Sequence, residues 1–355
     1  MSALWSRLSQ RVNSTKLSPV IGPIKAVPIT ITLVNYSEDE LIEHTDVAAV
    51  ECKAYLDKGP FTWIHIQGQP KPSDLREFGH LFQLHPLALE DVITASEQRA
   101  KTETYENQVM VILGMPRKKD FSITMEQVSI FLGENFLVSF HSGTEDPFRA
   151  VRRRLNHPKA PMRKRGIDYL LYVLVDVVID SGFPVLDEFE KEIEHVEQEL
   201  LGPAGEETIQ TLYAIKRELL ILRLKMRPQR EAMRVLMRDD NDMLHEETKI
   251  YLRDCNDHII RLIDVIEIYR DMTSNMLDVH LSLVNKKTFI SNEIQRKVAI
   301  WTLIFAPLTY ISGVYGMNFM FIPASKLAYG FELCIGFMFL LALLMVVYFK
   351  FKKWL

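Results

Sequence analysis

The chain has 355 residues and a formal net charge of −4, with 48% hydrophobic and 25% charged residues. This length exceeds one small domain, the composition argues against disorder, and the lack of a basic excess predicts no nucleic-acid partner. Cys52, Cys255 and Cys334 are widely spaced and predict neither a disulfide framework nor a thiolate zinc site.

The N-terminal part of the chain combines strand and helix patterns. Residues 1–25 are predicted to form a polar N-terminal arm, and residues 26–150 an α/β domain with a small sheet. Residues 73–93 have the periodicity of helices. Runs rich in β-branched and aromatic residues predict strands at 31–37, 61–67 and 107–115, and a hairpin at 127–142.

Residues 151–245 are predicted to form a helical cytoplasmic region. Residues 168–183 are apolar around nearly the whole helical circumference, which predicts a buried helix. An acidic helix follows and stops at Gly202-Pro203, and a second helix begins at Glu206. We interpret these two helices as a hairpin whose acidic run is a solvated face.

The chain has neither glycine nor proline from Gln229 to Ala306, which predicts long helices. The polar run at 238–242 suits a turn or cap, so a long helix is predicted to begin at about residue 246. Through residue 315 it would be roughly 100 Å long at 1.5 Å per residue. A helix of that length needs partners, and its apolar seam supplies a packing surface. We expect residues 246–297 to form a cytoplasmic stalk.

Two apolar segments follow, at 298–315 and 331–349, and each is about as long as the roughly 20 residues that cross a hydrocarbon core. They predict two membrane helices, TM1 and TM2, with a pair of buried core helices as the alternative. Basic residues lie before the first apolar segment and after the second one, where they include the terminal segment 350–355. This predicts cytoplasmic termini and an outer loop at 316–330. Two crossings cannot enclose a pore, so a channel would require a ring of subunits.

The first apolar segment closes with Tyr315-Gly316-Met317-Asn318. Here the chain resembles the CorA family of divalent-cation channels, whose signature is Gly-Met-Asn at this place. The mixed domain, acidic hairpin, long helix, two spans and Lys-rich end follow the same order, so the resemblance covers nearly the whole chain. It implies an α+β cytoplasmic domain, a long helix and two transmembrane helices, assembled as a homopentameric funnel-shaped channel in the cell (inner or plasma) membrane.

The resemblance implies that Gly316, Met317 and Asn318 form the selectivity filter. Mg2+ holds its water tightly, and a ring of neutral Asn318 amides would recognise the hydrated ion without trapping it. A helix C-cap is the simpler alternative for Asn318. The first span would line the pore along one face, with Asn292, Gln295, Val298, Thr302, Ala306, Thr309 and Gly313.

The resemblance also implies Mg2+ sensing between subunits in the cytosol. Glu90 and Asp91 match the sensor carboxylates of the family, Asp254 matches their partner, and Asp176 and His258 match a second regulatory site. The residues support part of this, because a carboxylate within the apolar helix around Asp176 needs a partner. A solvated helix end is the alternative for residues 90–91, and a plain surface histidine for His258.

A basic ring at the cytoplasmic end of the membrane segment is implied for Lys350, Lys352 and Lys353, with lysines that merely extend to the interface as the alternative. The outer loop departs from the family, because Phe319–Ala324 lacks the two acidic residues common after the tripeptide. Without an acidic ring, capture of cations from outside would be weaker or the ion preference different.

Together these features predict a channel that takes up the divalent cation Mg2+, with Co2+ and Ni2+ as further candidate ions. Mg2+ in the cytosol is predicted to gate this channel. Its expected partners are four further copies of the chain, the lipid membrane and the cations. Transport of zinc or another transition metal, or export, is the alternative within the same fold. A membrane-anchored helical scaffold or sensor without a pore is the alternative of another class. The sequence has no P-loop, GxSxG or HExxH motif, so we expect no enzyme.

Overall fold

The structure is a computed structural model of the chain that describes residues 29–56, 59–93, 98–119, 122–200, 202, 205–238, 241–317 and 329–354. The chain divides into two compact units, the first ending at Met276 and the second spanning Leu277–Leu355. The sequence-predicted arm at 1–25 lies outside the described residues, as does most of the outer loop.

A mixed seven-stranded sheet forms the centre of the first unit, with strand order β2-β1-β3-β7-β6-β5-β4. The strands β3 and β7 are parallel, and every other neighbouring pair is antiparallel. The strands are β1 Thr30–Tyr36, β2 Leu41–Thr45, β3 Phe61–Gln67, β4 Lys101–Tyr105, β5 Gln108–Lys119, β6 Ser122–Leu132 and β7 Phe136–His141.

The sheet is larger than the small sheet that the sequence predicted. The predictions missed β2 and β4, which are the two edge strands and read LIEHT and KTETY. Edge strands carry polar and charged side chains that protect the open edge, so the apolar pattern on which the prediction rested is absent from both. The strand β6 also begins at Ser122, five residues before the predicted hairpin.

Three helices, α1 Ala49–Leu56, α2 Pro72–Leu81 and α3 Pro86–Ile93, cover one face of the sheet. Alternate strand residues point to this face. Ile64, Phe131, Phe78 and Leu89 are fully buried or nearly so in the shared core. This packing fixes the orientation of α3, the helix that carries Glu90 and Asp91.

The remaining helices are α4 Arg149–Asn156, α5 Ile167–Asp180, α6 Gly182–Leu200, α7 Glu206–Leu236, α8 Glu246–Tyr315 and α9 Gly330–Phe351. Helices α5, α6 and α7 all pack on the sheet, at β5, β6 or the strands next to them. Helix α6 also packs against α7, as expected of the predicted hairpin. Within α5, nine of the residues are buried, among them Leu171 and Val175.

Among the described residues, three helical segments are long and apolar enough to cross a membrane: Ile167–Leu200, Glu246–Tyr315 and Gly330–Phe351. The most apolar part of the first is 56% buried inside the protein, whereas the corresponding parts of the other two are 11% and 6% buried. Burial against protein suits a core helix, and apolar exposure suits contact with lipid or further subunits. The segments 298–315 and 331–349 therefore remain the candidates for the two membrane helices.

The second unit contains a small apolar contact between its two helices. Ile300 and Ile304 of α8 and Phe349 of α9 are buried together, and Leu308 packs against them. These α8 positions recur every four residues and so define one face of the helix. The contact fixes which face of α8 turns toward α9.

Candidate functional site

Two aspartates and a histidine converge where α5 contacts α8. Asp176 and Asp180 are one turn apart on α5, and His258 lies on α8. Candidate ligand atoms of all three lie within 4.8 Å of one another. We call Asp176, Asp180 and His258 the α5–α8 cluster.

Hydrogen bonds hold the cluster in place from both sides. His258 Nδ1 is 2.8 Å from Asp180 Oδ1, and His258 Nε2 is 3.8 Å from Asp254 Oδ2 one turn earlier on α8. The Cys255 thiol donates to Asp176 Oδ1 at 3.6 Å. The sequence analysis named Asp176, Asp254 and His258 but missed Asp180, although the spacing of the two aspartates in VDVVID places both carboxylates on one helix face.

Negative charge accumulates in the α5–α8 cluster. Partial burial raises the pKa of Asp176, and the charge of Asp180 raises it further. Burial also raises the pKa of the Cys255 thiol, with Asp176 as the next cause, so this thiol stays protonated. A divalent cation would relieve this repulsion, and the donor set of two carboxylates and an imidazole fits Co2+, Ni2+ or Zn2+ by direct ligation. It fits Mg2+ through the carboxylate oxygens and bound water.

The predicted sensor residue Asp91 has an internal counter-ion. Its carboxylate lies 2.7 Å from Lys101 Nζ, and the Asp91 side chain is 14% exposed. The same Nζ is 2.7 Å from Glu103 Oε1, and the Tyr105 hydroxyl donates to the other oxygen of Glu103. Lys101, Glu103 and Tyr105 alternate along β4 and so share one face of the strand.

The pKa values around Asp91 reflect this pairing. Burial raises the pKa of the Asp91 carboxyl, and the hydrogen bond from Lys101 opposes the rise. Burial acts to lower the pKa of Lys101, but its bonds to Asp91 and Glu103 raise it above the usual value. Glu90 is half-buried beside Asp91 on α3. A cation that binds Asp91 must therefore displace or outweigh Lys101, a residue that the sequence analysis did not identify.

The seven residues predicted to line a pore are exposed in the single chain. Val298, Thr302 and Ala306 lie two residues before Ile300, Ile304 and Leu308, respectively, which pack against α9. Two residues correspond to about 200° of helical rotation, so the predicted lining lies opposite the α9 contact. The Thr302 hydroxyl donates to the carbonyl of Val298 at 2.9 Å. Asn292, Gln295, Thr309 and Gly313 are the other members of this face.

The filter tripeptide is described only in part. The helix α8 ends at Tyr315, and the amide of Gly316 still donates to the carbonyl of Ser312 at 2.9 Å. A Cβ at Gly316 would lie 3.2 Å from that carbonyl oxygen, so the close approach favours glycine. Met317 is exposed, and Asn318 lies outside the described residues.

The three lysines predicted to form a basic ring are exposed where α9 ends. Lys350 belongs to the last turn, and Lys353 has a positive φ of 56°. Trp354 turns back, and its amide donates to the carbonyl of Phe349 at 2.9 Å while the two rings stack. This left-handed ending resembles a helix C-cap and leaves Lys350, Lys352 and Lys353 at one end of the helix.

Comparison with known proteins extends over nearly the whole chain. Residues 58–353 match the sequence profile of the CorA-like Mg2+ transporter protein family. The cobalt/magnesium transport protein CorA of Thermotoga maritima is 39% identical over 329 residues, which are 92% of this chain and 92% of that protein.

Solved structures share the fold. The complete structure of the CorA magnesium transporter from Methanocaldococcus jannaschii matches with a TM-score of 0.71 at 22% identity, covering 93% of this chain and 100% of that one. The cytoplasmic domain of ZntB from Vibrio parahaemolyticus matches with a TM-score of 0.59 at 18% identity, covering 73% of this chain and 100% of that domain.

Proposed function

The chain belongs to the CorA-like family of Mg2+ transporter proteins, and from this premise we propose that it forms a channel that brings Mg2+ into the cell. The observation that carries the proposal is the 39% identity to a cobalt/magnesium transport protein over 92% of the chain. Co2+ is proposed as a second transported ion, and Ni2+ as a further candidate.

We propose that five copies of the chain surround one pore, because two membrane helices per chain cannot enclose a polar path. The uncovered face of α8, which includes Thr302 and Thr309, would line it. This assignment is supported by the position of that face, opposite the residues that pack on α9. A ring of Asn318 amides above Gly316 and Met317 would bind the water shell of Mg2+ and spare the cost of removing it.

We propose that cytosolic Mg2+ closes the channel by binding between subunits. Glu90, Asp91 and Asp254 would supply oxygen ligands at one position. At the other position Asp176 would supply a carboxylate oxygen and His258 an imidazole nitrogen. A bound Mg2+ would neutralise carboxylates that otherwise repel one another, and so favour the closed assembly. Without the ion, Lys101 would neutralise Asp91 and the Cys255 thiol would hydrogen-bond to Asp176, so Mg2+ would have to replace Lys101 at Asp91.

Transport of a transition metal is a second candidate function. The specific observation in its favour is the imidazole of His258 within reach of two carboxylates, since nitrogen ligands suit Zn2+, Co2+ and Ni2+ better than Mg2+. In this case the membrane segment would carry the same ion that the α5–α8 cluster binds. The two candidates differ in which ion produces flux.

Ion flux into liposomes that contain the purified chain tests the proposal. We expect influx of Mg2+ and Co2+, a weaker or absent influx of Zn2+, and loss of influx in Asn318→Ala. Asn275→Ala is the matched control, because Asn275 is exposed on α8 and lies about 100° around the helix from Asn292 of the predicted lining. Zn2+ influx without Mg2+ influx would favour the second candidate. An oligomer without any flux would favour a scaffold, and wild-type flux in Asn318→Ala would exclude the proposed filter.

A further inference from the structure

Basic residues from both helices of the second unit meet at one end of the apolar helix pair. Ile300 and Phe349 are buried together, so the residues just before Ile300 and just after Phe349 lie at the same level of the pair. Five cationic side chains occupy these positions, and all of them are exposed. We call this set the basic end of the pair: Arg296, Lys297, Lys350, Lys352 and Lys353.

Positive charge is in excess at the basic end. The acidic side chains among the described residues of the second unit are Asp278, Glu293 and Glu332. Glu293 lies 3.6 Å from Lys297 Nζ. Asp278 and Glu332 are about 25 Å or more away along their helices, at 1.5 Å per residue. Residue 355 lies outside the described residues, and even with a terminal carboxylate there, five cations would face two anions.

Helix α9 ends in a motif that pairs its last carbonyl oxygens. The amide of Trp354 donates to the carbonyl of Phe349 at 2.9 Å, and the amide of Lys353 donates to the carbonyl of Lys350 at 3.0 Å. Together with the left-handed backbone of Lys353, these two bonds form a Schellman motif. Carbonyl oxygens that would otherwise repel an approaching anion are thereby occupied.

The left-handed position of this motif carries a lysine where glycine is the usual residue. Lys353 has a φ of 56°, a conformation that costs free energy for a residue with a Cβ and none for glycine. Non-glycine residues held in this region cluster at functional sites. A glycine would suit the helix end better, so we attribute the lysine to its charge.

An exposed apolar face of α9 leads up to the basic end. Leu344, Tyr348 and Phe351 recur at intervals of three or four residues and therefore share one side of the helix. All three are exposed, and Phe351 is 89% exposed. The proposed pore lining of α8 lies opposite the α9 contact, so in a ring of subunits α9 faces outward, toward lipid.

Cationic side chains next to an exposed apolar face match a phospholipid, in which a negative phosphate adjoins acyl chains. We propose that the basic end of the pair binds the headgroups of anionic phospholipids, with an acyl chain along the exposed face of α9. Lys352 and Lys353 attract the phosphate as point charges, and the Arg296 guanidinium offers paired N–H donors to its oxygens. This inference rests on the proposed membrane crossing and is independent of which ion is transported.

Fluorescence quenching of the purified full-length chain in bilayers, measured without divalent cations, tests the proposal. The background Trp5→Phe/Trp301→Phe leaves Trp354 beside the basic end and Trp63, which is fully buried in the sheet. Quenching of Trp354 by brominated phosphatidylglycerol is compared with quenching by brominated phosphatidylcholine. We expect the anionic lipid to be preferred by about tenfold or more, because each lysine near an anionic lipid adds to the attraction.

A pair of adjacent lysines provides the main variant and its matched control. Lys352→Gln/Lys353→Gln should lower the preference for phosphatidylglycerol by about tenfold. Lys286→Gln/Lys287→Gln removes two adjacent exposed lysines that lie on α8 about 20 Å before Ile300, and the preference should stay at the wild-type value.

Lys353→Gly separates the charge from the folding of the helix end. Glycine suits the left-handed position, so the thermal stability in pure phosphatidylcholine should not fall. The preference for phosphatidylglycerol should nevertheless decrease by about fivefold, because one cation is removed. Lys353→Arg keeps the charge and should keep the preference.

Several results would overturn the proposal. Equal quenching by the two lipids in the wild type would do so, as would an unchanged preference in Lys353→Gly or an equal loss in the control pair. If the lysines instead pair with acidic side chains of the first unit, Lys352→Gln/Lys353→Gln lowers stability equally in both lipids and no lipid preference exists. A chain that keeps the preference but shows no ion flux would support the lipid site and refute the channel alone.

Discussion

Substitution of Lys101 by methionine removes the internal counter-ion of a proposed sensor carboxylate while keeping most of the side-chain volume. Lys101 Nζ lies 2.7 Å from Asp91, and the two side chains are 32% and 14% exposed. If Mg2+ acts at Asp91, Lys101 competes with it for the same oxygens. Lys101→Met is therefore expected to increase the affinity of the chain for cytosolic Mg2+.

The magnitude follows from the distance and the exposure. Two unit charges 2.7 Å apart attract by about 6 kcal/mol at an effective dielectric constant of 20. Desolvation offsets most of this, and a hydrogen bond between charged groups contributes a net of about 1.5 to 3 kcal/mol. Because Lys101 is about one-third exposed and is also bonded to Glu103, we take the lower end of this free-energy range. About 1.5 kcal/mol corresponds to a roughly tenfold decrease in the Mg2+ concentration needed for half-maximal closure.

The assay measures closure by two independent signals, inhibition of flux by Mg2+ on the cytoplasmic side and Mg2+ protection of the chain from protease. The matched control is Lys164→Met, because Lys164 forms an ion pair with Glu38 of similar length at 2.8 Å but both side chains are mostly exposed. Such a pair contributes little. We expect no change in Mg2+ response in the control.

A different set of results would refute this reasoning. If Lys101 only supports the fold, Lys101→Met lowers thermal stability equally with and without Mg2+, and the Mg2+ response stays at the wild-type concentration. If Lys101 helps to build the Mg2+ site, the variant requires more Mg2+ and not less. Either result would show that Lys101 does not compete with the regulatory ion.

Two further predictions concern other groups of the first unit. Asp180→Asn should raise the Co2+ concentration needed for protection from protease by about 10- to 100-fold, because it removes a charge that orients His258. The control Asp187→Asn, on the solvated face of α6, should have no effect. Burial, opposed by the charge of a neighbouring carboxylate, lowers the pKa of His65 from 6.5 to about 3. The unfolded chain therefore binds more protons in this range, and stability falls by up to about 1.4 kcal/mol per unit as pH decreases from 6.5 toward 3. In His65→Asn the free energy of unfolding should depend less steeply on pH, by the amount that corresponds to one proton. Unfolding can be followed by the fluorescence of the neighbouring Trp63, and an unchanged slope would contradict the assignment.

The sequence predicted the architecture well wherever apolar patterns are strong. The strands around Ile64 and Val111 and the buried helix around Val175 have patterns that burial requires, and the structure contains each of them. The long run without glycine or proline predicted α8, which the structure also contains. The two edge strands were missed because they are short and mostly polar, and so lack the alternation of apolar and polar residues by which a strand is recognised. Polar edge strands such as KTETY differ little from loops in composition.

The residues of the candidate site were harder to find than the fold. Asp176 drew attention because a carboxylate in an apolar helix is unusual, whereas Asp180 lies in the last turn of the helix, where the apolar run ends. Lys101 could not be paired with Asp91 from sequence, because the ion pair joins α3 to an edge strand that the sequence did not predict. Charge pairing between a helix and a strand depends on how the two elements are placed against each other in the fold, and the local pattern of neither element gives that placement.

The two proposed regulatory positions differ in chemistry, and this difference bears on how one protein would distinguish ions. At Asp91 the neighbouring ligands are carboxylate oxygens, and a lysine already neutralises them. An ion must therefore displace an ammonium group, which favours a hard divalent cation present at high concentration, such as cytosolic Mg2+. The α5–α8 cluster adds an imidazole and has no lysine or arginine within ion-pair distance among the described residues. It therefore suits a scarcer transition ion that binds nitrogen. On this argument, Mg2+ would act at both positions, and Co2+ or Ni2+ would act preferentially at the α5–α8 cluster, within the same subunit fold.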